Sequence, residues 1–192
     1  LVFFVFISCQ ENEISFENQK LRIVSISPGI TQTLIDLGLE KNIVGCSAFC
    51  KVANSQIPVV GNYYDIDFQR LLFLEPTVIL VQETASPKDT HLEKLSNEGA
   101  FEIHYLPLDS ISDIKKTYET VSYLFCGEKQ ELNFNLDKSV NPKKLLIISQ
   151  GSDVSAGLCF GQKTYLDDII KLLGCQNVLQ KDGWTMLSLE DA

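Results

Sequence analysis

The stretch that decides the fold is Leu21-Arg22-Ile23-Val24-Ser25-Ile26-Ser27-Pro28-Gly29-Ile30. Its β-branched first half suits a strand, and Ser27-Pro28-Gly29 breaks it. From Ile30 to Leu39 apolar residues recur at Ile30, Leu34 and Leu37, a roughly helical spacing, with Gly38 near the end. A strand followed by a helix opens an alternating α/β lobe.

Toward the C-terminus the alternation continues. Ile43-Val44-Gly45 is a second short strand, and Pro58-Val59-Val60-Gly61 is a third extended piece. Asp67 is expected to cap a helix from Phe68 to Leu74 that Pro76 stops. Thr77-Val78-Ile79-Leu80-Val81 is a continuous apolar run, as in a strand buried on both faces of a parallel sheet. Asp89 to Glu98 reads as a helix ending at Gly99, and Glu102-Ile103-His104-Tyr105 as the next strand. Residues 21–109 therefore form an N-terminal α/β lobe.

The pattern then changes. Ser112 to about Leu136 reads as helix without a strand, so residues 110–142 are assigned to a helical connector, which Gly127 interrupts. A second strand-first unit starts at Lys144 with Leu145-Leu146-Ile147-Ile148. Gly151 to Gly161 reads as a loop rich in Gly and Ser. Thr164 to Leu173 is a helix with its apolar face at Leu166, Ile169, Ile170 and Leu173, closed by Gly174. Asn177-Val178-Leu179 is a short strand, and a further helix is expected around Ser188. The expected architecture is α/β: two Rossmann-like lobes with parallel sheets joined by a helical connector. The second lobe, residues 143–192, is expected to be truncated at its C-terminus.

The chain starts at Leu1, not Met, and residues 1–8 are almost wholly apolar up to Ser8-Cys9. A membrane span needs about 20 such residues, so this run reads as a signal peptide remnant. It also resembles a bacterial lipobox, in which Cys9 becomes the lipidated first residue and residues 9–20 a tether. Phe6 departs from that pattern, where Leu is usual, and an unlipidated secretory signal or a buried strand is the competing reading.

Apolar residues make up 45% of the 192 and charged residues 21%, a globular balance that permits a sizeable core. The net charge of −9 argues against a nucleic-acid partner, which would call for a basic stripe. Five cysteines follow Cys9: Cys46, Cys50, Cys126, Cys159 and Cys175. An odd number implies no closed disulfide framework. Cys46 and Cys50, four apart, would suit a bridge or half a metal site. Separate thiols are the favoured reading, because the chain has only two histidines, His91 and His104. Neither has metal-ligand spacing to another ligand, and His104 reads as a satisfied core residue. The sequence holds no G-x-G-x-x-G after a strand, no P-loop and no nucleophile elbow. These absences lower an enzymatic reading without excluding it.

The positive signal is a pair of similar segments. Gly61-Asn62-Tyr63-Tyr64 leads through Asp67 to Gln69, and Gly183-Trp184 leads through Ser188 to Glu190. In both, the aromatic precedes the polar residue by six positions. An aromatic on a loop of each lobe would wall a large flat ligand, giving contact area at small entropic cost. The competing reading is that two α/β units reuse similar loops.

Arg22 to Thr31, then Leu37-Gly38-Leu39 and Ile43-Val44-Gly45, resembles the opening of the periplasmic binding proteins for vitamin B12, ferric siderophores and haem. Val60 to Tyr64 with Leu71 to Leu80, and Ala156-Gly157 through Thr164–Ile170 to Asn177-Val178, resemble that family's later signatures. The resemblance implies a solute-binding protein without catalytic activity or cofactor, monomeric, in the periplasm or cell envelope. It would carry a cobalamin, ferric siderophore or haem in a cleft and dock on an ABC permease with its ATPase. Ser27 and Gly29 would lie at the cleft mouth. Tyr63, Tyr64 and Trp184 would wall the ligand, with Cys159 and Phe160 in a facing loop. Glu190 matches the second docking acid, and Gln69 stands where the first belongs. The alternatives are a zinc or manganese binding protein and an α/β enzyme of the chelatase or nitrogenase-like type.

Overall fold

The computed structural model describes residues 20–52, 54, 56–84, 86–133, 141, 143–150 and 156–188. The first lobe runs β1 (Ile23–Ser25), α1 (Pro28–Asp36), β2 (Ile43–Cys46), a hairpin of β3 (Gly61–Asn62) and β4 (Asp65–Ile66), and α2 (Phe68–Phe73). It continues with β5 (Val78–Gln82), α3 (Thr90–Asn97) and β6 (Glu102–Leu106). Strands β2-β1-β5-β6 pair in that order, all in parallel.

The unbroken apolar run in β5 has a direct explanation. Successive residues of a strand point to opposite faces, and here both faces are covered. Ile23, Val78 and Leu80 pack with Ile30 and Leu34 of α1 on one face. Val24, Ile79 and Val81 pack with Leu71 of α2 and Leu92 of α3 on the other. The helix starts follow the predicted chemistry: Asp67 Oδ1 accepts the Arg70 N–H at 2.9 Å, and Asp89 Oδ1 accepts those of His91 and Leu92 at 2.8 and 3.0 Å. Each satisfies donors that a helix start leaves unpaired. The end of α2 is closed by Arg22, whose guanidinium donates to the carbonyls of Leu74 and Glu75.

The connector is shorter than expected. Helix α4 (Ile111–Cys126) opens with a reciprocal cap between Ser110 and Asp113. It ends ten residues before Leu136, because Gly127 turns left-handed at φ 79° and the Ser122 hydroxyl accepts the Gln130 N–H at 2.9 Å. Residues 128–133 are not helical, and the remainder of the expected helix, beyond Asn133, lies outside the described residues. Val121 of α4 packs into the core beside α1, so the connector also covers the first sheet.

The second half departs further from expectation. The run Leu145–Ile148 is not one strand. β7 (Lys144–Leu145) pairs in parallel with β10 (Gln176–Asn177), while β8 (Ile148–Gln150) joins another sheet. Part of the expected 151–161 loop is strand: β9 (Ala156–Phe160) pairs antiparallel with β8 and with β11 (Trp184–Ser188). Ser188 is the last residue of β11, and the helix expected around it would fall in residues 189–192, which lie outside the described residues. In each case the backbone groups found non-local partners that local composition does not reveal. Helix α5 (Tyr165–Leu172) forms as expected, capped by Thr164, whose Oγ1 accepts the Asp167 N–H at 3.2 Å.

Candidate functional site

In an open parallel sheet, ligands meet the carboxyl ends of the strands where the strand order reverses. Here that point lies between β1 and β5, since the chain steps from β1 to β2 on one side and later to β5 on the other. The residues after β1 build the floor. Ser27 is buried, and its hydroxyl donates to Gln82 Oε1 of β5 at 3.1 Å across the reversal. The Thr31 hydroxyl lies 2.8 Å from Ser25 Oγ and 3.1 Å from Cys50 Sγ. Gly29 is exposed at the start of α1; a Cβ there would press within 2.9 Å of Leu108 Cδ1, so the glycine keeps the helix start close to the loop after β6.

The β3–β4 hairpin stands beside this floor, tied to it by the Ala48 N–H, which donates to the Gly61 carbonyl at 2.9 Å. Gly61 adopts φ 106°, and a Cβ at that position would collide with the Asp65 carbonyl oxygen. Asn62 Oδ1 caps the turn by accepting the N–H groups of Tyr64 and Asp65 at 2.8 and 3.2 Å. The two rings meet edge to face with centroids 5.3 Å apart. They differ in role: Tyr63 packs against the core, its hydroxyl donating to the Pro87 carbonyl at 3.3 Å, whereas Tyr64 is 85% exposed. Phe49, 71% exposed in the turn after β2, adds a third aromatic that the sequence reading did not select. Gln82 was also missed. It lies at the end of the apolar run, where its polarity reads as a strand boundary rather than as a partner for Ser27.

In the second half, Trp184 and Phe160 are cross-strand partners with ring centroids 4.5 Å apart. Both therefore sit on strands, not loops. Trp184 is 53% exposed, while Phe160 is buried and Cys159 is fully buried in β9, so neither occupies the expected facing loop. The end of β9 is held by Asn177, whose side-chain amide donates to the Phe160 carbonyl at 3.0 Å and to Asp167 Oδ1 at 3.1 Å. The fully buried Asp167 carboxylate also pairs with Lys171 at 2.6 Å, and this hydrogen bond raises the Lys171 pKa.

Gln69 is exposed in the first turn of α2. Glu190 and Cys9 lie outside the described residues. Cys46 and Cys50 come together beneath the floor, whereas Cys126, Cys159 and Cys175 stand elsewhere, and all five are free thiols. The histidines are apart: His91 stacks on Phe68 with centroids 4.3 Å apart, and His104 Nε2 lies 3.5 Å from Glu102 Oε2. Among the described residues no group of three or more His, Cys, Asp or Glu is placed to hold a metal ion.

A parallel-sheet lobe with its floor at the strand reversal, a linking helix and a second α/β unit is the fold of the periplasmic solute-binding proteins. The resemblance read from the sequence is supported directly: residues 23–106 match the periplasmic binding protein family. The vitamin B12-binding protein of Vibrio vulnificus strain YJ016 is 29% identical over 103 residues, which are 53% of this chain and 37% of that protein. The match thus spans little more than a third of the relative. The periplasmic haem-binding proteins of Vibrio cholerae and Roseiflexus sp. RS-1 superpose with TM-scores of 0.67 and 0.70, at 23% and 19% identity. Each superposition covers 90% of this chain and 72% of the other. These two likenesses establish the fold.

Proposed function

We propose that this chain is the extracytoplasmic solute-binding component of an ABC importer, carrying a large chelate: a cobalamin, a ferric siderophore or haem. The observation that carries the proposal is the exposed Tyr64, buttressed edge-on by a packed Tyr63 beside the polar floor of Ser27, Gln82 and Thr31. An exposed aromatic on the hairpin that is tied to this floor suits the wall of a large flat ligand. The relatives' names agree, being those of vitamin B12 and haem binders. Trp184 is proposed as the wall from the second lobe, Gln69 and Glu190 as the contacts with the permease, and Cys9 as a lipid anchor. Ser27 and Gly29 shape the floor in this reading. Phe160 backs Trp184 from behind, and Cys159 packs beneath rather than touching ligand.

Titration with cyanocobalamin, haem and a panel of ferric siderophores tests this. Trp184 is the chain's single tryptophan, so its fluorescence reports on that wall alone. Saturable quenching by one ligand, matched by equilibrium dialysis, is expected. Absence of binding to every member of the panel by both methods would sink the proposal.

A further inference from the structure

We propose that Cys46 and Cys50 are a dithiol that closes to an intramolecular disulfide when an external disulfide is the oxidant. The inference does not depend on the identity of the transported ligand. Cys46 is the last residue of β2 and is 2% exposed; Cys50 is half-buried, four residues on. The chain between them is folded into a turn closed by the Cys50 N–H, which donates to the Ser47 carbonyl at 3.1 Å. The turn is anchored at its start by the Ser47 N–H donating to the Ser25 carbonyl at 3.0 Å. This brings the Cys50 thiol back over the strand end. There it lies 3.2 Å from Ser47 Oγ, 3.1 Å from Thr31 Oγ1 and 3.8 Å from the carbonyl oxygen of Ser25, the residue paired with Cys46 across β1 and β2, close enough to the Cys46 thiol to disfavour its ionisation. Among the described residues the other cysteines stand on α4, on β9 and after α5.

The environment also sets the order of events. Burial and the neighbouring Cys50 push the Cys46 thiol up to about 11, so at neutral pH it keeps its proton. Cys50, the more accessible, attacks first as thiolate: its sulfur bonds to one sulfur of the external disulfide, and the other leaves as a thiolate. Cys46 then loses its proton, and its sulfur attacks Cys50 Sγ, displacing the second thiolate. Two protein thiols are oxidised, one disulfide is reduced to two thiols, and the protons end on the leaving groups. Closure draws Cys50 away from the Thr31 and Ser47 hydroxyls and shortens the tether of Phe49. Oxidation therefore changes both the floor and one aromatic of the candidate site.

Trypsin should cut after Lys41 and Lys51, releasing both cysteines in the single peptide 42–51. The native chain is incubated with oxidised glutathione, quenched in acid, alkylated under denaturing conditions, digested and weighed. The expected peptide is lighter by two hydrogens and takes no alkyl group. The Cys46→Ser chain should instead retain glutathione on Cys50. A wild-type peptide that carries two alkyl groups, or glutathione without an internal bond, would overturn the proposal. The wild-type reading stands even if the variant fails to fold.

Discussion

The Ile111 backbone N–H, at the first residue of α4, donates to Asp168 Oδ2 in the first turn of α5 at 3.0 Å, across 57 residues of sequence. A carboxylate from the second half thus satisfies an otherwise unpaired donor at the start of the connector helix. Asp168→Ala removes it from a half-buried site. The expected cost is about 1 kcal/mol, read as a lower urea midpoint with unchanged slope. Asp168→Asn keeps an acceptor oxygen and should lose less.

Tyr64→Ala separates binding from folding. The ring is too exposed for its loss to change the unfolding midpoint appreciably. Its removal should weaken binding of the ligand identified by titration by about tenfold, corresponding to the ~1–3 kcal/mol typical of a truncated aromatic contact. Calorimetric titration of the variant beside wild type measures it. Equal affinities would remove Tyr64 from the ligand wall.

Alkaline pH should destabilise the protein through Cys46. Its thiol ionises near 9.0 in the unfolded chain and at about 11 in the folded one. Between these values the folded state holds the extra proton, so stability is intact below pH 9 and falls as pH rises through 11. The loss is on the order of 2 kcal/mol. Lys171, whose pKa is also raised, acts in the same direction at the upper end of this range. Denaturant curves from pH 8 to 11.5 under reducing conditions should show the decline, and Cys46→Ala should flatten it in part.

Gln69→Glu should restore a negative charge at an exposed helix start, where a carboxylate is favoured. If the first lobe docks through this position, the variant should bind the permease more tightly by up to about fivefold, the scale of an exposed ion pair. Uptake into vesicles containing the transporter gives the comparison. Unchanged or weaker uptake would show that position 69 does not meet a basic surface of the permease.

Leu71→Ala should be the most damaging of these changes. Leu71 is fully buried between α2 and the sheet beside Val24, Ile79 and Val81, so truncation leaves a cavity costing about 2–5 kcal/mol. Its neighbour Leu72, 42% exposed, should tolerate the same substitution with less than about 1 kcal/mol lost. Thermal unfolding of both variants gives the contrast.

Legibility in the sequence followed the range of the interactions involved. The first lobe was readable because its signals are local: Asp67 and Asp89 cap the helices that immediately follow them, and the apolar run into β5 announces a two-sided core. Tyr63 and Tyr64 were readable as loop aromatics, but the division of labour between them was not. It depends on Pro87, 24 residues from Tyr63, accepting one hydroxyl. Gln82 gave no signal because it acquires meaning from Ser27, 55 residues away.

By itself, then, the sequence determined the parallel order of alternating strands and helices over residues 23–106, the helix caps and the resemblance to a solute-binding family. The tertiary structure alone decided that Leu145–Ile148 is split between two sheets, that Cys159 is enclosed within a strand, and that Trp184 projects from β11 against Phe160. The physical reason is that caps and helical faces arise within a few residues. A strand takes its identity from backbone partners that the folded chain brings from elsewhere.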